Sequence, residues 1–198
     1  MASTAFKPVV ERFITPLAKG MLAVGITPNV LTVVGAIGSS VSASYFFSNG
    51  RFIVGVIAVS IFTLSDLFDG TMARLSSRGP SAWGGFLDST FDRITDAAIV
   101  GGLIIYFIRH DDSLVNLAVV VLILGALIPY IRAKAESLGI ACAVGIAERT
   151  ERLVLLVSGI FLEGLGVPYA LAIALNLLVL LSAITVVQRI MVIYKGLK

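Results

Sequence analysis

Apolar stretches of membrane-crossing length, separated by short polar turns, constrain this chain more than any other feature. A bilayer core offers no water to backbone groups, so only helices or the strands of a closed barrel can cross it. Stretches of roughly twenty residues select helices. The 198 residues are 58% hydrophobic and only 14% charged, with a mean hydropathy of +1.00. Such a balance excludes an ordinary soluble domain and predicts an all-α membrane protein. Cys142 is the single cysteine, so there is no internal disulfide. No basic stripe interleaved with aromatics suggests nucleic acid, and the N-terminus lacks the pattern of a secretory signal.

Six transmembrane helices are predicted. The first starts at Thr27-Pro28, an N-cap followed by proline at the first helical position, and runs to about Phe47 before the Ser48-Asn49-Gly50 turn. The second runs from Phe52 into Asp66-Leu-Phe-Asp69. The third leaves Gly84 and ends near Ile108, and the fourth covers Leu114 to Ile131, with helix continuing to Leu138. The fifth, Glu148 to Leu162, is short in apolar length, and the sixth covers Pro168 to Tyr194. Ahead of them, residues 3–24 read as an amphipathic helix lying in the membrane interface, shortened or bent by Pro8 and Pro16. Its apolar face carries Phe6, Val9, Val10, Phe13, Ile14, Leu17 and Met21, opposite Lys7, Glu11, Arg12 and Lys19. The chain therefore divides into an N-terminal juxtamembrane helix, residues 1–26, and a six-helix transmembrane domain, residues 27–198.

Six spans place both termini on one side. That side receives Lys7, Arg12, Lys19, Arg74, Arg78, Arg93, Arg132, Lys134, Arg149, Arg152, Arg189, Lys195 and Lys198, and the other only Arg51 and Arg109. By the positive-inside rule the termini are cytoplasmic.

Four carboxylates break the apolar pattern: Asp66, Asp69, Asp88 and Asp92. Ionisable groups within membrane segments are costly and usually functional. Asp66 and Asp69 are three residues apart, Asp88 and Asp92 four, so each pair shares a helix face. At 1.5 Å per residue, the first pair lies roughly 21–26 Å from the external start of its span at Phe52. The second pair lies roughly 24–30 Å from the external end of its span at Ile108, so all four fall at a similar depth near the cytoplasmic edge. They cannot all stay ionised and unpaired: some are protonated, or cations neutralise them. Oxygen-only ligands favour Mg²⁺ or Mn²⁺, with room for two ions, an arrangement suited to phosphate chemistry. Gly70, Ala73 and Gly84 leave space for a substrate, and Arg74 adds positive charge. Asp96 continues the Asp92 face one turn on, extending the site, orienting Arg93 or making a polar contact within the bundle.

The pattern Asp66-x-x-Asp69-Gly70-x-x-Ala73-Arg74, then Gly84-x-x-x-Asp88-x-x-x-Asp92, resembles the signature of the CDP-alcohol phosphotransferases at every position. The resemblance covers most of the chain. It implies a magnesium-dependent reaction in which an acceptor hydroxyl attacks the lipid-side phosphorus of a CDP-linked lipid and CMP leaves. It implies metal ligation by Asp66, Asp69 and Asp88, and makes Asp92 the general base, also in reach of a metal. Asn29 and Thr32 would lie near the nucleotide. A homodimer is implied as well.

The acceptor is read from cations on the cytoplasmic side. Lys134, Arg149, Arg152 and Arg189 suit a phosphate-bearing acceptor better than a neutral polyol. For Arg132, Lys195 and Lys198, topology or local pairing suffices. The stretches Pro129-Tyr-Ile-Arg132-Ala-Lys134-Ala-Glu136, Glu148-Arg-Thr-Glu-Arg152 and Arg12-Phe-Ile-Thr-Pro-Leu-Ala-Lys19 resemble those of actinobacterial phosphatidylinositol-phosphate synthases. That implies CDP-diacylglycerol and inositol phosphate as substrates, in the plasma (inner) membrane. Glycerol phosphate, used by phosphatidylglycerophosphate synthases, is the alternative acceptor. A cation or proton transporter would place its carboxylates near the midplane of two repeated halves, and no internal repeat is present.

Overall fold

The computed structural model describes residues 14–76 and 79–198, and the regular elements among them are α-helices. Residues 3–13 of the expected interfacial helix, with Lys7 and Arg12, and Arg78 of the following loop lie outside the described residues. The helices are α1 (residues 14–23), α2 (Pro28–Ser48), α3 (Phe52–Thr63), α4 (Ser65–Leu75), α5 (Ala82–Arg109), α6 (Leu114–Ser137), α7 (Arg149–Gly164) and α8 (Ala170–Gly196).

Among the described residues, four helical stretches are long and apolar enough to cross a membrane: Pro28–Ser48, Phe52–Leu75, Leu114–Ser137 and Ala170–Gly196. The sequence predicts six. The two that fall short do so for visible reasons: α7 has 16 residues, and α5 carries Asp88, Asp92, Arg93 and Asp96 among its residues.

The helix ends follow from local chemistry. Thr27 Oγ1 accepts the Val30 N–H at 3.4 Å, the N-cap bond expected ahead of Pro28. Ser81 does the same for α5, accepting the Gly84 N–H at 3.0 Å, so that helix begins at Ala82 rather than at Gly84. At the other end one device recurs. The second residue past the helix takes positive φ, and the next amide reaches back five residues, as in Arg51 N to Phe46 O, Ile140 N to Ala135 O and Val167 N to Leu162 O. These Schellman closures satisfy carbonyls that lipid could not. Gly50, Gly139 and Gly166 supply the left-handed residue there; after α5 it is Asp111, at φ 53°.

The expected second span is divided into α3 and α4 at Leu64. Ser65 Oγ donates to Phe62 O at 2.6 Å, a side-chain bond of the kind that competes with the helix ladder and bends it.

By packing, the chain forms two compact units, one comprising the residues up to Ser42 with Ile57–Thr95, the other Ala43–Val56 with Asp96–Lys198. In the first, α2 lies close against the α3–α4 junction. A Cβ added at Gly35 would run into Ser65, and one at Gly38 into the Phe62 ring. In the second, α8 packs on α6 and α7. Ile128, Ile131 and Val186 form a buried cluster flanked by Leu124, Leu127 and Ile193, and Gly159 of α7 admits Ala174 of α8. Gly102 of α5 lies on the chain at Ala43, where an added Cβ would sit 2.7 Å from the Ala43 carbonyl oxygen.

Each long apolar helix also keeps an exposed apolar stripe. On α8, Ile173, Leu177, Leu180, Ile184, Val187 and Met191 recur at helical spacing on the side opposite buried Leu171, Leu175, Leu178, Ser182 and Arg189. Exposed Tyr169 and Tyr194 stand at its two ends. On α2 the stripe is Val30, Val34, Ile37 and Val41. A continuous apolar face open to the surroundings fits an integral membrane protein.

Candidate active site

The aspartate stretch occupies α4 and the start of α5, within the first compact unit. A cavity of about 630 Å³ opens there, lined by Asp66, Asp69 and Asp88 together with Asn29, Thr32, Gly70, Ala73 and Gly84. Three of the four signature aspartates and five of the six residues expected around the CDP-lipid therefore share one cavity. The sixth, Arg74, lies outside its lining, and its Nη2 donates to Thr71 Oγ1 at 3.1 Å. Asp92 is also outside the lining; its carboxylate faces Arg93 Nη2 at 3.6 Å.

Asp69 is the buried member, 8% exposed. Thr32 Oγ1, one helix away on α2, donates a hydrogen bond to its Oδ2. Thr32 thus acts on the aspartate directly, beyond the position near the nucleotide that the sequence suggests. Asp66 and Asp88 bear on Asp69 with like charge. Glycine at 84 lets two side chains sit close, since a Cβ there would come within 3.2 Å of Asn29 Oδ1 and Ser81 Oγ.

Carboxylate oxygens in mutual repulsion on one cavity wall are the donor set a hard divalent cation fits. Among the described residues, no three Asp, Glu, His or Cys side chains already converge as a closed cage. The fit therefore lies in donor type and shared cavity.

The cationic residues belong to the second unit, and the structure brings three of the four to one region of it. Arg149 Nε and Arg152 Nη2 face the two oxygens of Asp96, at 3.4 and 3.6 Å. Arg152 Nη1 donates to Ala147 O at 2.9 Å. Arg189 is 3% exposed and donates through Nε to Val144 O at 2.9 Å and through Nη1 to Ile128 O at 2.6 Å. Thr185 Oγ1 accepts the Ala147 N–H at 3.0 Å. Residues 144–147 are thus held from α7 and α8 at once. Lys134 lies exposed near the end of α6, while Arg132 pairs with Glu136 at 2.9 Å, the local pairing that its spacing predicts.

The match to known proteins follows this geometry. Residues 25–194 match the CDP-alcohol phosphatidyltransferase family. The chain belongs to that family. Membership makes it a transferase of phospholipid biosynthesis. Among its relatives, the phosphatidylinositol phosphate synthase of Cutibacterium acnes is 41% identical over 195 residues, which cover 93% of this chain and 94% of that protein. A crystal structure of Mycobacterium tuberculosis phosphatidylinositol phosphate synthase with CDP-DAG bound has a TM-score of 0.87 and 36% identity, covering 92% of this chain and 94% of that one. Another, in complex with manganese and citrate, has a TM-score of 0.87 at 36% identity, covering 91% and 88%.

Proposed function

We propose that this family member transfers the phosphatidyl group of CDP-diacylglycerol to a hydroxyl of inositol phosphate, giving phosphatidylinositol phosphate and CMP. The observation that carries the reading is the single cavity shared by Asp66, Asp69 and Asp88 with Asn29, Thr32, Gly70, Ala73 and Gly84. The choice of substrates is supported by relatives that are phosphatidylinositol phosphate synthases along almost the whole chain, one of them with CDP-DAG bound.

In this reading the acceptor oxygen forms a bond to the lipid-side phosphorus while the bond from that phosphorus to the CMP oxygen breaks. Asp92 takes the acceptor proton. Asn29, Thr32, Gly70, Ala73 and Gly84 receive the CDP moiety, with Arg74 beside them. Asp66, Asp69 and Asp88, with Asp92, would hold Mg²⁺ or Mn²⁺ as a pair of ions, which supplies positive charge to the pyrophosphate. Manganese in a related structure supports a metal there. Arg149 and Arg152 take the acceptor phosphate, with Lys134 and Arg189 completing the cationic set.

For topology, we infer six spans by adding α5 and α7 to the four, with the termini and the site on the cytoplasmic side of the plasma membrane. Residues 1–26 form the juxtamembrane segment, and the working unit is a homodimer in the bilayer, as the family resemblance implies.

The test is CMP release from CDP-diacylglycerol by purified protein with Mg²⁺, offered inositol phosphate, free inositol or glycerol phosphate. Release with inositol phosphate and not with the other two is the expected result. Release with glycerol phosphate alone would overturn the acceptor.

A further inference from the structure

Asp96 stands outside the family signature and outside the cavity lining, yet it touches both arginines at the start of α7. Its Oδ1 faces Arg149 Nε at 3.4 Å and its Oδ2 faces Arg152 Nη2 at 3.6 Å. Each oxygen serves a different guanidinium, so one carboxylate sets the gap between the two cations as well as their direction. Arg152, 8% exposed, is also held at Nη1 by Ala147 O, which leaves it little freedom to settle elsewhere. Two cations in the first turn of a helix oppose its dipole, whose N-terminal end is positive. Glu151 in the same turn favours the dipole, and Asp96 adds an anion from a different helix. The Asp96 side chain is 25% exposed and that of Arg149 24%, so the group is open to a water-soluble ligand.

We propose that Asp96 is a positioning residue. It holds Arg149 and Arg152 at the spacing that receives the phosphate of the acceptor, and so determines acceptor affinity without touching the acceptor. This rests on the acceptor reading given above.

The experiment is a double-mutant cycle read by CMP release, with CDP-diacylglycerol and inositol phosphate varied separately. Asp96→Asn should raise the KM for inositol phosphate about tenfold while the KM for CDP-diacylglycerol stays within about twofold. Asp96→Glu, which keeps the charge, should recover most of the loss. In an Arg149→Gln background, Asp96→Asn should raise the acceptor KM by clearly less than tenfold, because one of the two groups it positions is gone. A lower acceptor KM, equal rises for both substrates, or full additivity with Arg149→Gln would each overturn the proposal. Should Asp96→Asn not fold, the same cycle run with Asp96→Ser decides it: a rise in KM confined to the acceptor and smaller in the Arg149→Gln background supports positioning, and any other pattern refutes it. Wild-type protein inert with inositol phosphate would instead overturn the acceptor reading, so the two failures are distinguishable.

Discussion

Thr32→Val isolates one hydrogen bond at the aspartate cavity. The Thr32 hydroxyl has a single hydrogen and two acceptors in reach, Pro28 O at 3.1 Å and Asp69 Oδ2. Within α2 the helix ladder already directs the residue 32 amide at Pro28 O, so the hydroxyl hydrogen is worth more on the carboxylate. Valine keeps the shape and removes the donor. A hydrogen bond to a charged group contributes about 1.5–3 kcal/mol. At about 1.4 kcal/mol per factor of ten, that is roughly ten- to a hundredfold in the affinity of the site for a divalent cation. Losses of this size, about 10–100-fold, are typical when a partner behind a metal ligand is removed. Mn²⁺ binding, followed by its electron paramagnetic resonance signal in detergent, reads the affinity directly. The Mg²⁺ concentration for half-maximal CMP release provides the functional counterpart, and Thr32→Ser should stay near wild type in both. Unchanged Mn²⁺ affinity in folded Thr32→Val protein would refute the assignment of Thr32 as the group that orients Asp69 for metal.

Asp92→Asn should abolish turnover while CDP-lipid and Mn²⁺ binding largely persist; loss of both from folded protein would recast Asp92 as chiefly a ligand. Arg189→Gln strips the donors from Val144 O and Ile128 O, so the melting temperature should fall and the acceptor KM rise. A rise in the CDP-diacylglycerol KM instead would remove Arg189 from the acceptor region. Gly102→Val should destabilise by about 1–3 kcal/mol through overpacking, since its Cβ meets a backbone carbonyl, Ala43 O, at 2.7 Å; thermal unfolding in detergent at wild-type temperature would contradict this. Thr185→Val leaves the buried Ala147 amide without its acceptor and should cost about 1–3 kcal/mol in the same assay.

What could be read from the chain was local. The start of α2 at Thr27-Pro28, the glycine stop at Gly50 and the pairing of Asp66 with Asp69 on one face all depend on residues within a turn of one another. The break at Leu64 was hidden because it rests on a serine hydroxyl choosing the Phe62 carbonyl over solvent, a competition that apolar periodicity does not record. Gly84 masks the start of α5, whose N-cap, Ser81, lies three residues earlier. Cross-helix partners were the larger loss. Thr32 meets Asp69 across 37 residues, and Arg149 meets Asp96 across 53. Spacing along the chain cannot select such partners, since any helix packing against α5 could have supplied a cation. Arg189 shows the same limit: its charge was evident, but the two carbonyls that receive it lie on a loop and on a neighbouring helix.

Tyr169 and Tyr194, the exposed rings at the two ends of the α8 stripe, are 25 positions apart, which a helix converts to roughly 37 Å. A bilayer has a hydrocarbon core of about 30 Å and measures about 40–45 Å with its headgroups, so both rings reach the interfacial layers where tyrosine anchors. The helix therefore acts as a gauge of membrane thickness. Shorter acyl chains thin the bilayer and leave α8 to tilt, at a cost of a fraction of a kcal/mol per Å of mismatch. An enzyme of phospholipid synthesis helps to set the thickness of the medium that holds it. Its response to acyl length thus has two origins, recognition of the lipid it consumes and strain from the lipids that surround it. Assays in bilayers of fixed substrate and varied host-lipid length separate the two.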